Sequence, residues 1–292
     1  MSEGFVDSDS RAWLAIDSAG NPQVAYRDRS SGELIHAKKA AGQWTLEHIP
    51  THLTPLRTAN SIGAVHFSLR PSNDVAHFVY TDLATDGIGF AHNGSLGPTP
   101  VPVHVASSDL VTFGHPSAAF DSSENFDVGY VKFFETGGPQ NDISVLGTTM
   151  VGVQPVTFSQ PVVVDDSPNL AVNRPTSIVK TDFRECLAYF DVASKTLKAS
   201  VSEAGLGSIE TVATNIKNVV TPSAAANGNA FRIAFADFDA VKLASRDRFG
   251  TWTLEVVDPV FGGPPSLAYD SGGTANIAYV TRGSLKYARR SE

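Results

Sequence analysis

Apolar and polar residues alternate along this chain in short runs that Gly, Asn, Asp and Pro interrupt. A period of two predicts β-strands rather than helices. One run recurs six times: Leu34 begins LIHA, Ile88 IGFA, Ile143 ISVL, Leu197 LKAS, Val241 VKLA and Leu285 LKYA, at spacings of 54, 55, 54, 44 and 44 residues. Upstream of each lies a second run: VAYRD at Val24, FVYTD at Phe78, VGYVK at Val128, LAYFD at Leu187, IAFAD at Ile233 and IAYVT at Ile277. A third precedes it: WLAID at Trp13, AVHFSL from Ala64, SAAFD at Ser117, TSIVK at Thr176, SAAAN at Ser223 and SLAYD at Ser266. A fourth follows in most units, as in WTLEHI at Trp44, VPVHV at Val101, PVVV at Pro161, IETV at Ile209 and WTLEVV at Trp252. Turn sequences such as DSAGN, DSSEN and DSGGT separate the runs, because Gly, Asn and Asp tolerate the positive φ of tight hairpins. The stretch from Ala193 to Ala204 is locally helix-like, but its register with the other units makes it a strand.

Four short strands repeated six times predict a β-propeller. The expected architecture is all-β: six blades of four antiparallel strands in one domain over residues 1–292. Unit six has three strands of its own. The missing outer strand is expected from the N-terminus, where FVD before WLAID matches VVD before SLAYD. Pairing of Gly4–Asp7 with Leu285–Arg289 would close the ring and remove an open edge. On these motifs the chain resembles six-bladed propellers built on repeats of the PSLAxD, IAYxD, LKYA type, over nearly its whole length. In length and repeat style it also resembles the fungal hetero-Diels–Alderases of tropolone-sesquiterpenoid biosynthesis. That resemblance implies cycloaddition chemistry and transfers no catalytic residue.

Composition narrows the function classes. The net charge is -8 without Lys/Arg-rich runs, which argues against nucleic acid and anionic membranes as partners. The single cysteine, Cys186, permits no internal disulfide and no thiol-rich metal site. No apolar run spans 18 residues and the polar, acidic start carries no signal peptide, so the default expectation is a cytoplasmic protein. Asn93-Gly94-Ser95 is a glycosylation acceptor triplet, which a secreted chain trimmed of its signal would also carry. No oligomeric state follows from the sequence.

In a propeller the first strand of each blade lines a central channel. The connections leading into it share a face with the loops between second and third strands. That geometry brings Arg11, Trp13, Asn60, His66, His115, Arg174, Thr221 and Phe261 to the strand starts on one face, and Phe133, Phe134 and Phe238 to its hairpin loops. Apolar rim groups with few polar anchors suit one largely apolar pocket. His66 and His115 are the candidate acid–base groups there, with Arg174 as the charge partner, and an apolar small molecule is the expected substrate. The other eight residues named, Arg11, Trp13, Asn60, Thr221 and the four phenylalanines, are candidate substrate contacts.

Other motifs read as structure. All eight histidines lie within the first 115 residues, yet His66, His77, His92 and His104 fall on four successive strands and cannot converge on one ion. No metal and no cofactor is expected. Asp28, Asp82, Asp191 and Asp237 follow the second-strand aromatic and read as turn initiators. No G-x-S-x-G elbow surrounds Ser117 or Ser266, and Cys186 reads as packed. Three functions fit: a cofactor-free cyclase, lyase or isomerase with one central pocket, a propeller lectin with sites between blades, or a protein-interaction platform. A lectin would repeat its contact set around the ring, and only Trp44 and Trp252 recur.

Overall fold

The structure is a computed structural model that describes residues 12–28, 33–49, 62–82, 87–93, 101–103, 111–134, 142–151, 154–159, 162–166, 175–203, 206–217, 221–260, 262–281 and 284–290. Its described elements are all strands, paired antiparallel, and all but one, Val162–Asp165, pair with a sequence neighbour. The first sheet orders β1 (Trp13–Ile16), β2 (Pro22–Arg27), β3 (Leu34–Ala40) and β4 (Gln43–Ile49). The second contains β5 (Ile62–Leu69), β6 (Ala76–Asp82), β7 (Gly87–His92) and β8 (Val101–Val103). In the third, β9 (Val111–Phe120) and β10 (Phe126–Phe134) lead to β11 (Asp142–Val151), which pairs with both β12 (Gln154–Phe158) and β13 (Val162–Asp165). The fourth holds β14 (Ser177–Lys180), β15 (Arg184–Asp191), β16 (Thr196–Glu203) and β17 (Leu206–Ala213). The fifth holds β18 (Ser223–Asn227), β19 (Ala230–Ala236), β20 (Val241–Arg246) and β21 (Trp252–Asp258). The last has β22 (Ser266–Tyr269), β23 (Ala275–Thr281) and β24 (Ser284–Arg290).

The arrangement is a β-propeller. First strands touch in cyclic order, β1 to β5, β9, β14, β18 and β22, with β22 back against β1. The expectation of six four-stranded blades needs correction: among the described residues five sheets have four or more strands and the sixth has three. The segment expected to complete the sixth, Gly4–Asp7, lies outside the described residues. The third sheet has five strands because the long connection after β11 turns back as β12 before β13 takes the outer position. The helix-like stretch after Ala193 is indeed the turn and strand of β16.

Cores lie between neighbouring sheets. Phe190, Leu197 and Val212 meet Phe231, Ile233 and Phe235 across the fourth and fifth sheets, with Cys186 buried among them. Burial pushes the Cys186 thiol far above its ordinary range, which leaves it inert. Trp13, Leu34 and Ile49 pack on Phe67, Phe78 and Tyr80 across the first and second.

Polar clasps repeat on this frame. Asp165, the last residue of β13, accepts from Tyr189 Oη at 2.6 Å and from Lys198 Nζ at 3.4 Å in the next sheet. Asp258, the last of β21, accepts from Tyr279 Oη at 3.0 Å and Lys286 Nζ at 2.7 Å. At the equivalent ladder position β17 ends in Ala213, and the next sheet then carries Phe235 in place of tyrosine. The turn carboxylates behave as their sequence implies. Asp17 Oδ1 accepts the N–H groups of Ala19 and Asn21 at 3.1 and 2.7 Å, and Asp270 Oδ1 those of Gly272 and Thr274 at 3.0 and 2.9 Å. Gly20 and Gly273 supply the positive φ these turns need.

Candidate functional site: a break in the inner serine ring

The ladders align one position on every first strand. Trp13 faces Ala25, His66 faces Val79, Ser117 faces Gly129, Ser177 faces Ala188, Ser223 faces Ala234 and Ser266 faces Ala278. Four of the six are serine. Their hydroxyls tie sheet to sheet: Ser117 Oγ accepts the Ile178 N–H, Ser177 Oγ the Ala224 N–H and Ser223 Oγ the Leu267 N–H, at 3.0, 2.8 and 3.0 Å. Each bond satisfies an N–H of a first strand that would otherwise be buried without a partner.

The ring departs from serine at two neighbouring sheets. His66 keeps the tie by other means, since its Nδ1 accepts the Ala118 N–H at 3.2 Å. An accepting Nδ1 leaves the ring proton on Nε2. Trp13 has no acceptor, and its indole lies instead against the His66 imidazole, centroids 4.3 Å apart and planes tilted by 60°. Both residues are only 8% exposed. The third sheet adds a further irregularity beside them. The β9–β10 register slips between Gly129 and Val131, so His115 and Pro116 together oppose Tyr130. A bulge of this kind re-aims a side chain and is common beside binding sites. His115 is half-buried. A similar slip sets Gly63 and Ala64 opposite Thr81 in the second sheet.

The sequence-predicted residues therefore fall into groups. Trp13, His66 and His115 gather on adjacent first strands. Thr221 is buried just before β18, across the ring. Phe238 stands 63% exposed in the β19–β20 turn. Phe133 and Phe134 end β10, opposite Thr112 and Val111. Arg11, Asn60, Arg174 and Phe261 lie outside the described residues. Among the described residues no group of three or more His, Cys, Asp and Glu is arranged to hold a metal ion.

The described buried histidines away from the ring serve packing. His36 Nε2 is 2.9 Å from Gln23 Oε1, and burial holds its imidazole below the usual range. His92 is shifted the same way for the same reason, and His77 packs edge-on against Phe120 at 4.9 Å. Asn93 is committed as well. Its Oδ1 accepts the Ala76 N–H at 2.9 Å and its Nδ2 lies 3.1 Å from both His36 Nδ1 and Glu47 Oε2, so the amide a glycan would need holds two sheets together.

One cluster escaped the sequence reading. Lys180, at the end of β14, pairs with Asp127 and lies 3.4 Å from Asp121 Oδ2, both on the third sheet's side. Glu185, its ladder partner, is pushed up to about 8 by burial and by a hydrogen bond with Asp127. The only sequence signal was Lys180 itself, a cation inside an apolar inner strand.

No protein-family model and no curated protein sequence matches the chain. Solved structures share the propeller fold. The Penicillium chrysogenum α-L-arabinanase complexed with arabinobiose superposes with a TM-score of 0.67 at 9% identity, over 98% of this chain and 94% of that one. The Hadza microbial sialidase Hz136 gives 0.66 at 10% identity over 97% of this chain, which spans 66% of the sialidase. A mutant of the Aleuria aurantia lectin in complex with α-methyl-L-fucoside gives 0.60 at 10% identity over 99% and 97%. These likenesses support the propeller and give no support to the hetero-Diels–Alderase resemblance.

Proposed function

We propose that this chain is a small-molecule enzyme with one asymmetric site at the channel mouth beside β1, β5 and β9, and that its substrate is a saccharide. The observation that carries the reading is the break in the serine ring. A multivalent propeller lectin would repeat its contacts, whereas here Trp13 packed on His66 and the bulged His115 occur once, on adjacent first strands. Sugar is favoured because the arabinanase, the sialidase and the fucoside-bound lectin are named for saccharide chemistry. His66 Nδ1 is engaged in holding the third sheet, so His115 is the acid–base group and His66 supports it. Arg174 and Arg11, outside the described residues, stay in the polar set on the sequence expectation alone. A second reading, cofactor-free cyclase, lyase or isomerase chemistry on an apolar substrate, is favoured by the exposed Phe238.

Calorimetric titration against soluble oligosaccharides and against apolar ring compounds tests both. One ligand per chain, with affinity reduced about tenfold or more in His115→Ala, is the expected result. The ligand class that binds chooses between the readings. Several equivalent sites per chain, indifferent to His115→Ala, would replace the enzyme by a lectin.

We also propose that Gly4–Asp7 completes the sixth blade. Leu285 and Tyr287 of β24 are 77% and 62% exposed, while the residues equivalent to Leu285 (Leu34, Ile88, Leu197 and Val241) are buried to 2% or less. Asp7 would then stand to Tyr26 as Asp165 stands to Tyr189 and Asp258 to Tyr279.

A further inference from the structure

In three sheets the residue before the ring serine is proline: Pro116, Pro222 and Pro265. The fourth sheet carries Thr176 there, between Pro175 and Ser177, and Thr176 is fully buried. A buried hydroxyl must find its partners within the protein. Thr176 Oγ1 lies 3.0 Å from the Gly129 carbonyl oxygen, 3.4 Å from the His115 carbonyl oxygen and 2.9 Å from Ser117 Oγ. Ser117 Oγ already accepts the Ile178 N–H, so its own hydrogen is available to Thr176. The Thr176 hydrogen then goes to Gly129, with His115 as second acceptor. All three partners belong to the neighbouring sheet, at the bulge.

The bulge explains why a hydroxyl replaces proline at this one place. Two residues of β9 oppose one of β10, which takes backbone groups out of the ladder. Pro116 offers no N–H to repair it. A buried carbonyl left alone costs as much as a lost hydrogen bond, and a side chain from the next sheet is the nearest source of a donor. Gly129 also lets the fourth sheet approach closely here, since a Cβ there would lie 2.5 Å from Leu187 Cδ1.

We propose that Thr176 is a positioning residue: by holding the His115 and Gly129 carbonyls it fixes the bulge, and through it the setting of the His115 imidazole at the single site. The role assigned to His115 rests on the function proposed above. Thr176→Val keeps the shape and removes the donor, Thr176→Ser restores the donor, and Thr176→Pro installs the residue that other sheets carry.

The experiment follows His115 in histidine-labelled protein by NMR, its signal assigned by loss in His115→Gln, over a pH titration. Thr176→Val is expected to move the His115 midpoint by about half a unit or more and to weaken ligand binding roughly tenfold. Thr176→Ser is expected to restore both. Should Thr176→Val fail to fold, Thr176→Pro is read in the same way. A variant that melts lower while His115 titrates as in the wild type would reduce Thr176 to a packing residue and overturn the proposal. If His115 responds to Thr176 while His115→Ala leaves binding intact, the positioning stands and the proposed site falls.

Discussion

Single residues show where this protein departs from its own repeat, and Glu185 is the one with a measurable pH signature. It is held protonated up to about 8, first by burial and then by its hydrogen bond with Asp127, while Lys180 faces the same carboxylates. An unfolded glutamate releases its proton near pH 4.3. The folded chain therefore holds a proton that the unfolded chain has lost across that window. The stability Glu185 contributes is full below about pH 4.3 and disappears as pH rises through about 8. Glu185→Gln gives Asp127 the same donor with no proton to lose. Melting curves should place the variant a few degrees above wild type near pH 8.5, and close to it near pH 5, at about 2–4 °C per kcal/mol for a chain of this size. A gap that does not change with pH would remove the shared proton from the account. Glu124 is a second departure. It sits at φ +65° where the equivalent turns have Gly20 and Gly273, and its carboxylate meets Arg70 of the neighbouring sheet. The strain of a left-handed glutamate is tolerated because only a side chain there can reach across.

At the level of elements, the first strands are joined by side chain to backbone, not by a continuous ladder. The serine ties are interchangeable in geometry, so removing one tests the type. Ser223→Ala leaves the Leu267 N–H buried without its acceptor and should cost about 1–3 kcal/mol, read as a lower urea midpoint with unchanged slope. An unchanged midpoint would show the tie to be idle. The Asp–Tyr–Lys clasp follows the same economy of means. Where Asp165 and Asp258 end an outer strand, tyrosine and lysine answer from the next sheet, and where Ala213 ends it, Phe235 answers.

For the whole molecule the question is closure. The first strands already form a cycle, and β24 is the exposed third strand of the only three-stranded sheet among the described residues. An uncovered strand edge offers its N–H and C=O groups to other chains. Deleting residues 1–11 should lower the melting temperature by several degrees and promote association, while Asp7→Asn should show a smaller loss that Tyr26→Phe does not deepen. Melting unaffected by the deletion would reject the N-terminal strand as the closing element.

The strands, their order and their turns could be read from the sequence, because alternation and turn residues act locally. The LKYA, IAYxD and SLAYD runs located β24, β23 and β22, and the same register overruled the helix-like stretch at β16. Even the serine position was visible as the repeated S of SAAFD, SAAAN and SLAYD, though not its purpose. What only the tertiary structure decided lies between sheets. His66 finds the Ala118 N–H 52 residues away, Thr176 finds the His115 carbonyl 61 away, and Glu185 shares a proton with Asp127. The three strands of the last sheet were legible in its own unit, whereas the extra strand β12 was invisible to a pattern that repeats. Local pattern fixes which residues point inward along a strand. Which of them meet is set by the stagger and bulges of neighbouring blades, and that depends on the packing of the closed ring.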